Sequence, residues 1–414
     1  MMDRELIRQI EMDFFQGRAD EAVTRALDVV SAMDMDDDDE ASVASDLIVR
    51  ALSSDRAADF VKGLRNAGFD FTIRLPDGET LPTLFATRGR SDPSVYAALA
   101  EAGADLQSCN RTGSNALHIL ANLEVSNYAR DRESETADVA RIPGDASGWM
   151  VTNAFGATPL HLAAMRGHAQ LAEALLDTGA EADAVGVGVC QGYGHSIDFD
   201  GVTPLDVAAL MGDETIAAML MDHGADPMRA DNSGRTPAHY AVMKPPESLS
   251  REWESFHGMD ALVARKRSIL SRVGGLDASD DSGATPLLLT LTRYRYQNGG
   301  LSEVLLELGA DPNEASNDGT TPLMAAASNG FPDAVKALIA AGADLDACDG
   351  HGRTALHHAI AWRDERSART ILKKGARYDI PDETGATAGE MAASAGMESL
   401  MELMVRGRLY GVPR

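Results

Sequence analysis

The sequence predicts an all-α fold built from short antiparallel helix pairs that stack in a row. The tripeptide Thr-Pro-Leu recurs at Thr158, Thr203, Thr285 and Thr321, with variants at Thr236, Thr354 and Thr387. Three of the steps between these threonines (203 to 236, 321 to 354 and 354 to 387) are equal in length. A Gly-Ala pair follows the threonine at one constant distance in four units, at Gly179, Gly224, Gly342 and Gly375. A fixed period with a fixed internal offset indicates a structural repeat.

The unit that begins at Thr158 shows why each repeat predicts two helices. Thr158 suits a helix N-cap, and Pro159 suits the first helical position, where the missing N–H is not needed. Gly167 ends this helix. The second helix gains an apolar face from Leu171, Leu175 and Leu176, and Gly179 supplies a left-handed C-cap. Such a hairpin cannot bury its apolar face alone, so it must stack on copies of itself.

These motifs resemble those of the ankyrin-repeat family. Its unit is a 33-residue β-turn plus two helices that carry T-P-L-H-x-A, the pattern found here from Thr158 to Ala163. The resemblance covers about 110–405 well and 46–109 in degenerate form. It implies an ankyrin-repeat solenoid of about eight or nine repeats, with helical caps at both ends. It says little about function, because the same fold serves many unrelated roles.

The repeat pattern divides the chain into four segments. Residues 1–45 predict an N-terminal helical cap, with helices over 3–15 and 19–32, followed by an acidic loop at 34–40. Residues 46–109 are the degenerate ankyrin-like repeats. Residues 110–386 are ankyrin repeats with insertions at 127–150, 185–197 and 244–257. Residues 387–414 predict a C-terminal capping repeat and a short basic tail. Insertions on loops cost little free energy and often carry binding determinants.

The charge of the chain narrows the classes of partner. The net charge is −27, of which residues 351–414 contribute +2 and residues 1–350 the remaining −29. A phosphate backbone is bound by clustered Lys and Arg, so we expect no nucleic-acid ligand and no binding to an anionic membrane. The acidic field would steer in a basic protein partner. The alternative is that the charge serves solubility alone.

Histidine and cysteine often serve as catalytic or metal-binding residues, but in this sequence their positions indicate structural roles. His118, His161, His239 and His357 each lie three residues after a capping position, where the resemblance implies hydrogen bonding between neighbouring turns. Cys190 and His195 share a Gly-rich insertion, but a zinc site needs more ligands. The sequence lacks nucleotide-binding and hydrolase motifs. We therefore expect no catalytic residues, no metal and no cofactor. Three widely spaced cysteines and the lack of an apolar leader predict a reduced, cytoplasmic protein, although secretion as an effector into a host cytosol stays open.

Two surfaces are candidates for partner binding. In the resembled family, the turn tips and the exposed face of the first helix line a concave groove. The residues in those slots that we select as partner-binding are Phe155, Met165, Arg166, Phe199, Val202, Leu210, Met211, Arg235 and Met243. Several are apolar where the family pattern expects solvent, which marks an interaction site; the alternative is that the 185–197 insertion folds back and covers them. A secondary basic patch comprises Arg265, Lys266, Arg267, Arg293 and Arg295, and its alternative is a solvated helix face.

The sequence therefore predicts a non-enzymatic protein-binding module, acting as a scaffold, inhibitor or effector. It is expected to be monomeric and to recognise a protein partner through the groove and the insertion loops. One alternative is an acidic immunity protein that neutralises a basic toxin or nuclease; a bacterial effector is a related form. Another alternative is an enzyme whose active site is built from the insertions.

Overall fold

The computed structural model describes residues 4–16, 18–33, 35, 38–52, 54, 56–75, 77–123, 130–142, 151–187, 189–190, 197–198, 200–245, 247–292 and 300–410. The chain forms two compact units. The first comprises residues 1–204 and 219–225, and the second comprises residues 205–218 and 226–414. Both consist of short helices, which confirms the predicted all-α class, with one small two-stranded ribbon in the first unit.

The first unit contains ten helices and the ribbon among its described residues. The helices are α1 (Arg4–Phe15), α2 (Ala19–Val30), α3 (Asp38–Leu52), α4 (Ala57–Asn66), α5 (Leu81–Thr87), α6 (Pro93–Glu101), α7 (Ala116–Ala121), α8 (Arg130–Ala140), α9 (Pro159–Arg166) and α10 (Ala169–Asp177). Strands β1 (Val189–Cys190) and β2 (Ile197–Asp198) pair antiparallel, with Val189 opposite Asp198. The predicted helices over 3–15 and 19–32 correspond to α1 and α2.

Two expectations about the first unit are wrong. The acidic loop predicted at 34–40 does not reach residue 40, because Asp38 begins α3, where carboxylates at a helix N-terminus are stabilised by the helix dipole. The predicted insertion 127–150 contains α8. This helix packs on α10 and α6 and buries its C-terminal residues Ala137, Val139 and Ala140. It is therefore the second helix of the repeat that α7 begins.

The second unit continues the helix pairs. Its helices are α11 (Pro204–Met211), α13 (Pro237–Val242), α14 (Glu247–Val273), α15 (Pro286–Thr292), α16 (Leu301–Glu307), α17 (Pro322–Asn329), α18 (Pro332–Ala340), α19 (Ala355–Ala361), α20 (Glu365–Lys373), α21 (Ala388–Ser394) and α22 (Glu398–Tyr410); α12 (Glu214–Asp222) has residues in both units. The predicted insertion at 244–257 contains the N-terminal part of α14, which is continuous from Glu247.

The length of α14 sets it apart. It has 27 residues, whereas the second helices α10, α12, α18 and α20 have 9 residues each. At a rise of about 1.5 Å per residue, α14 is roughly 40 Å long. It packs on α13 and α16. Among the described residues, no helix is long and apolar enough to cross a bilayer.

Helix α9 shows how the repeat sequence produces its structure. The Thr158 hydroxyl caps the helix, Pro159 occupies its first turn, and Gly167 ends it in the left-handed conformation with φ 75°. The side chains of Leu160, Ala163 and Ala164 are buried. Small alanines allow the next helix to approach closely, so neighbouring pairs bury a continuous core.

Candidate functional site

The N-terminus of the first helix in a repeat is called the helix base here. At this base a buried capping residue and a buried histidine are hydrogen-bonded to each other. In α9 the backbone N–H of Thr158 donates to His161 Nδ1 over 3.3 Å, and the N–H of His161 approaches Thr158 Oγ1 at 3.4 Å. Since Nδ1 accepts, Nε2 carries the proton and donates to the Val202 carbonyl over 2.9 Å. This residue lies 41 positions further along the chain. The histidine therefore links one repeat to the turn of the next.

The same bridge recurs in other repeats. His118 Nε2 lies 3.1 Å from the Ala157 carbonyl, and His239 Nε2 lies 3.0 Å from the Ala284 carbonyl. The predicted structural role of the motif histidines is thus confirmed at three positions. Burial lowers the pKa of both His118 and His161 to about 4, so both are neutral at pH 7. A neutral imidazole with both nitrogens engaged is not available for proton transfer to a substrate.

The turn tips are fixed by a different device. In several tips one carboxylate or amide oxygen accepts hydrogen bonds from two backbone N–H groups, two and four residues later; the tip before Thr321 has Ser316 at this place and lacks the pattern. Asp349 Oδ1 accepts from His351 at 2.9 Å and from Arg353 at 2.8 Å. Asn153 Oδ1 accepts from Phe155 at 3.0 Å and from Ala157 at 3.2 Å. In the tips of Asn153 and Asp349 the middle residue contributes its backbone N–H, whereas Thr112, Ser282 and Thr384 at the same place in other tips also donate a side-chain hydroxyl. The side chain at this place therefore differs from tip to tip.

Backbone hydrogen bonds also join each tip to the next. In the second unit, Ser233 O accepts from Asp281 N at 2.9 Å. Three equivalent bonds follow along the chain, from Asn317 N to Ser282 O, from Gly350 N to Asp318 O and from Glu383 N to His351 O. In the first unit, Thr112 O accepts from Ala154 N at 2.8 Å. Gly156 O accepts from Val187 N at 3.0 Å. A Cβ on Gly156 would lie 2.0 Å from Val187 O, so only glycine fits there.

The predicted partner-binding residues divide by exposure. Phe155, Arg166, Arg235 and Met243 are half-buried. Arg166 donates to Asn122 Oδ1 over 3.1 Å, and Arg235 Nε lies 3.7 Å from Asp280 Oδ2. Phe199 lies outside the described residues. The expectation that the remaining four face solvent is wrong, because Met165, Val202, Leu210 and Met211 are all buried.

Neighbouring segments account for this burial. Residues 185–187 lie along the tip, where Gly186 N donates to Val202 O over 2.8 Å. At the end of α11, a Cβ on Gly212 would meet Leu262 of α14 at 2.7 Å, so α14 packs against the end that carries Leu210 and Met211. His168 Nε2 lies 2.9 Å from the Leu123 carbonyl, which brings the end of α9 and Met165 against the end of α7. Apolar side chains favour such cover by roughly 25 cal/mol for each Å² removed from water.

The predicted basic patch does not form one charged surface. Lys266 is 3% exposed, and its Nζ donates to the Met243 carbonyl over 2.7 Å. Burial lowers the pKa of Lys266 to about 7. Arg265 is half-buried, and Arg267 is exposed and paired with Glu307 at 2.6 Å. Arg293 and Arg295 lie outside the described residues. The expectation that Lys266 is a surface cation is therefore wrong.

Sites for metals and small molecules are sparse. Among the described residues, no group of three or more His, Cys, Asp or Glu side chains could hold a metal ion. Cys109 and Cys348 are free thiols. His195 lies outside the described residues, as does the side chain of Cys190. One open cavity of about 340 Å³ lies between the ends of α19 and α21, lined by Ile360, Ala361, Arg363, Glu390 and Met391 among others. The sequence did not single out Arg363 as a site residue, although it stands where the repeat pattern has the glycine that ends the first helix.

Comparison with known proteins supports the family assignment. A family model described as ankyrin repeats in three copies matches residues 141–231 and 291–382. An ADP-ribosylation factor GTPase-activating protein of Arabidopsis thaliana is 38% identical over 95 residues, which is 22% of this chain and 12% of the relative. Human neurogenic locus notch homolog protein 2 is 34% identical over 120 residues, 29% of this chain and 5% of the relative.

Two further proteins are similar in sequence or structure. Mouse NF-kappa-B inhibitor delta is 30% identical over 133 residues, 30% of this chain and 40% of the relative. The ankyrin repeat domain of Bcl-3 aligns with 60% of this chain and 99% of its own, with 24% identity and a TM-score of 0.47. The three relatives found by sequence are each covered over less than half of their own length. The matched segments, residues 141–231 and 291–382, are thus ankyrin repeats.

Proposed function

We propose that this chain is a non-enzymatic protein-binding module whose turn tips and first-helix ends recognise a protein partner. The observation that carries the proposal is the separation of roles within each repeat. The motif threonine and histidine side chains form hydrogen bonds within the fold at the helix bases, whereas the tips project varied side chains from a fixed backbone. Phe155, Ser233 and His351 occupy the same place in three tips, with three different chemistries.

The rigidity of the tips supports recognition. Binding is weakened by the entropy lost when loops become ordered, and preorganised loops avoid much of that loss. The tip at Asp231, for example, is held by its own Asp side chain and by a backbone hydrogen bond from Asp281 N to Ser233 O. Aromatic residues, Met and Arg are enriched at the centres of interfaces. Phe155, Arg166, Arg235 and Met243 retain partial exposure, so we keep them as contact residues, with Phe199 as a further expected contact.

The charge distribution supports a basic partner for the acidic part of the chain. Residues 1–350 carry −29, and such a field raises the association rate of a cationic protein. An inhibitor or immunity protein that neutralises a basic toxin fits this charge. Exposed charges are screened beyond roughly 8 Å at physiological ionic strength. We therefore expect the association rate with that partner to fall as salt rises, and a rate independent of salt would remove the steering argument.

Site-specific photocrosslinking tests the proposal. A photoreactive amino acid is placed at Phe155, Ser233 or His351 on the tips, and at Gln170 or Lys336 on second helices as matched exposed controls. In extract of the source cells, we expect the same protein to be crosslinked from all three tips and from neither control. Equal crosslinking from tips and controls would contradict recognition through the tips. If the purified chain instead converted a small molecule into a product, the result would favour an enzyme.

A further inference from the structure

One repeat departs from a backbone rule that the others obey. The residue nine positions after the capping threonine adopts a left-handed conformation in six repeats. In five it is glycine, with φ between 68° and 75°, at Gly89, Gly167, Gly212, Gly330 and Gly396. In the repeat that contains α19 it is Arg363, with φ 56°. Among the described residues, Arg363 is the one non-glycine residue with positive φ. This conformation disfavours side chains, so the arginine calls for an explanation outside the fold.

The surroundings of Arg363 leave its charge available. The side chain is exposed and lines the cavity of about 340 Å³ between α19 and α21. Across the described part of the chain, its guanidinium makes no ion pair with a carboxylate. Glu390 also lines the cavity, but its carboxylate already accepts from the backbone N–H of Thr387 at 2.9 Å and from its hydroxyl at 3.1 Å. Arg363 therefore offers a cation beside a cavity whose lining includes the apolar residues Ile360 and Met391.

The residue before Arg363 is also unusual. Trp362 is 62% exposed at the end of α19. In the preceding repeat the two corresponding positions hold Asn329 and Gly330. Trp and Arg are the residue types that most often dominate the binding energy of interfaces. An exposed Trp and an unpaired Arg beside a cavity thus form the combination expected of a partner anchor.

We propose that Trp362, Arg363 and this cavity bind an acidic segment of a protein partner. A carboxylate of the segment pairs with the Arg363 guanidinium, and an adjacent apolar side chain enters the cavity against Ile360 and Met391, with Trp362 packing over it. Charge complementarity favours this occupant. Residues 351–414 carry +2, whereas the rest of the chain carries −29 and repels an acidic segment. The inference rests on the proposed protein-binding function and specifies which chemistry binds at this end of the chain.

Peptide binding to the full chain tests the inference. The probe is a fluorescein-labelled short peptide in which aspartate and leucine alternate, and its twin carries lysine for each aspartate. We expect fluorescence anisotropy to show binding of the aspartate peptide only. Arg363→Gly and Trp362→Ala should each weaken it at least about tenfold. Arg363→Gly installs the residue that five other repeats carry, so the variant should fold. Lys374→Ala, which removes one exposed cation outside the cavity, is the matched control and should bind like the wild type.

Four outcomes would overturn the inference. The aspartate peptide could bind the wild type and Arg363→Gly equally, neither peptide could bind, or the lysine peptide could bind better. A second copy of this chain as the occupant would appear as a wild-type dimer that Arg363→Gly dissociates, and that too would overturn the peptide assignment. None of these results touches the proposed function, because the crosslinking pattern from the turn tips decides that independently.

Discussion

The base and the tip of one repeat use polar residues in opposite ways. At the base of α9, Thr158 and His161 are buried and spend their hydrogen bonds on each other and on Val202. At the tip of the same repeat, Asn153 fixes the backbone, while Phe155 keeps part of its side chain in solvent. The comparison teaches that the most reactive residue type in the motif serves the fold. Under the proposed function, recognition uses the side chains at the tips instead.

The pH dependence of stability tests the base of the repeats most strongly. The pKa of His118 and His161 is about 4 in the folded chain, against 6.5 ordinarily. Because the unfolded chain binds protons first, their stabilising contribution is complete above pH 6.5 and is lost as pH falls towards 4. Each should lose roughly 2 kcal/mol by pH 5. His239 and His357 shift in the same direction and add to the fall. Urea unfolding at about pH 7.5 and about pH 5 measures the change.

A double variant provides the control for the pH effect. His118→Gln with His161→Gln removes both titrating groups, so the difference in unfolding free energy between the two pH values should be roughly halved. An unchanged difference would show that other groups, not these histidines, cause the pH dependence.

Removal of one bridging histidine should have the next largest effect. His161→Ala leaves the Val202 carbonyl and the Thr158 N–H without their buried partner. We expect a loss of about 3 kcal/mol in unfolding free energy, since unsatisfied buried groups are costly. His351→Ala, at an exposed tip, should change it by less than about 0.5 kcal/mol. Similar losses in the two variants would remove the distinction between base and tip.

Two methionines sharpen the comparison further, because both occupy slots that the sequence assigned to the binding face. Met211 is buried, whereas Met243 is half-buried. Met211→Ser should lower the unfolding free energy by about 2 kcal/mol or more through loss of buried apolar contact. Met243→Ser should cost less than about 1 kcal/mol. Thermal or urea denaturation of the two variants side by side checks the difference, and equal costs would contradict the assigned burial.

The smallest expected change in stability concerns the position with a left-handed backbone, nine residues after the capping threonine, in two neighbouring repeats. Gly330→Arg imposes a side chain on a backbone with φ 70° and should cost about 1 kcal/mol. Arg363→Gly relieves the same conflict and should cost no stability. Equilibrium unfolding of both variants measures the pair of changes. A clear loss of stability in Arg363→Gly would mean that the Arg363 side chain serves the fold after all.

The repeat frame was predictable because its signals are local. Capping threonines, prolines and left-handed glycines act within one or two turns of the chain, so α9 and α17 begin and end where the motif indicates. Helix α8 was missed because only its C-terminal end is apolar. The start of α14 lies in the segment predicted as the 244–257 insertion; Pro245 and Pro246 obscured it, although proline is favourable at a helix start.

Burial was harder to predict, because distant segments decide it. Nothing near Met211 in sequence indicates that Leu262 of α14, which belongs to the next repeat, covers the end of α11. The burial of Lys266, in contrast, could have been predicted from the local spacing of apolar residues. It lies three, four and seven residues before Ile269, Leu270 and Val273, which places it on the buried face of α14.

The most direct test of the account measures binding and stability on one variant. Phe155→Ser combined with Met243→Ser alters two half-buried proposed contact residues, one in each unit, and leaves the histidine bridges intact. Against the partner captured by tip crosslinking, we expect the dissociation constant to rise at least about tenfold. The unfolding free energy should change by less than about 2 kcal/mol. An unchanged dissociation constant would contradict recognition through the turn tips and first-helix ends.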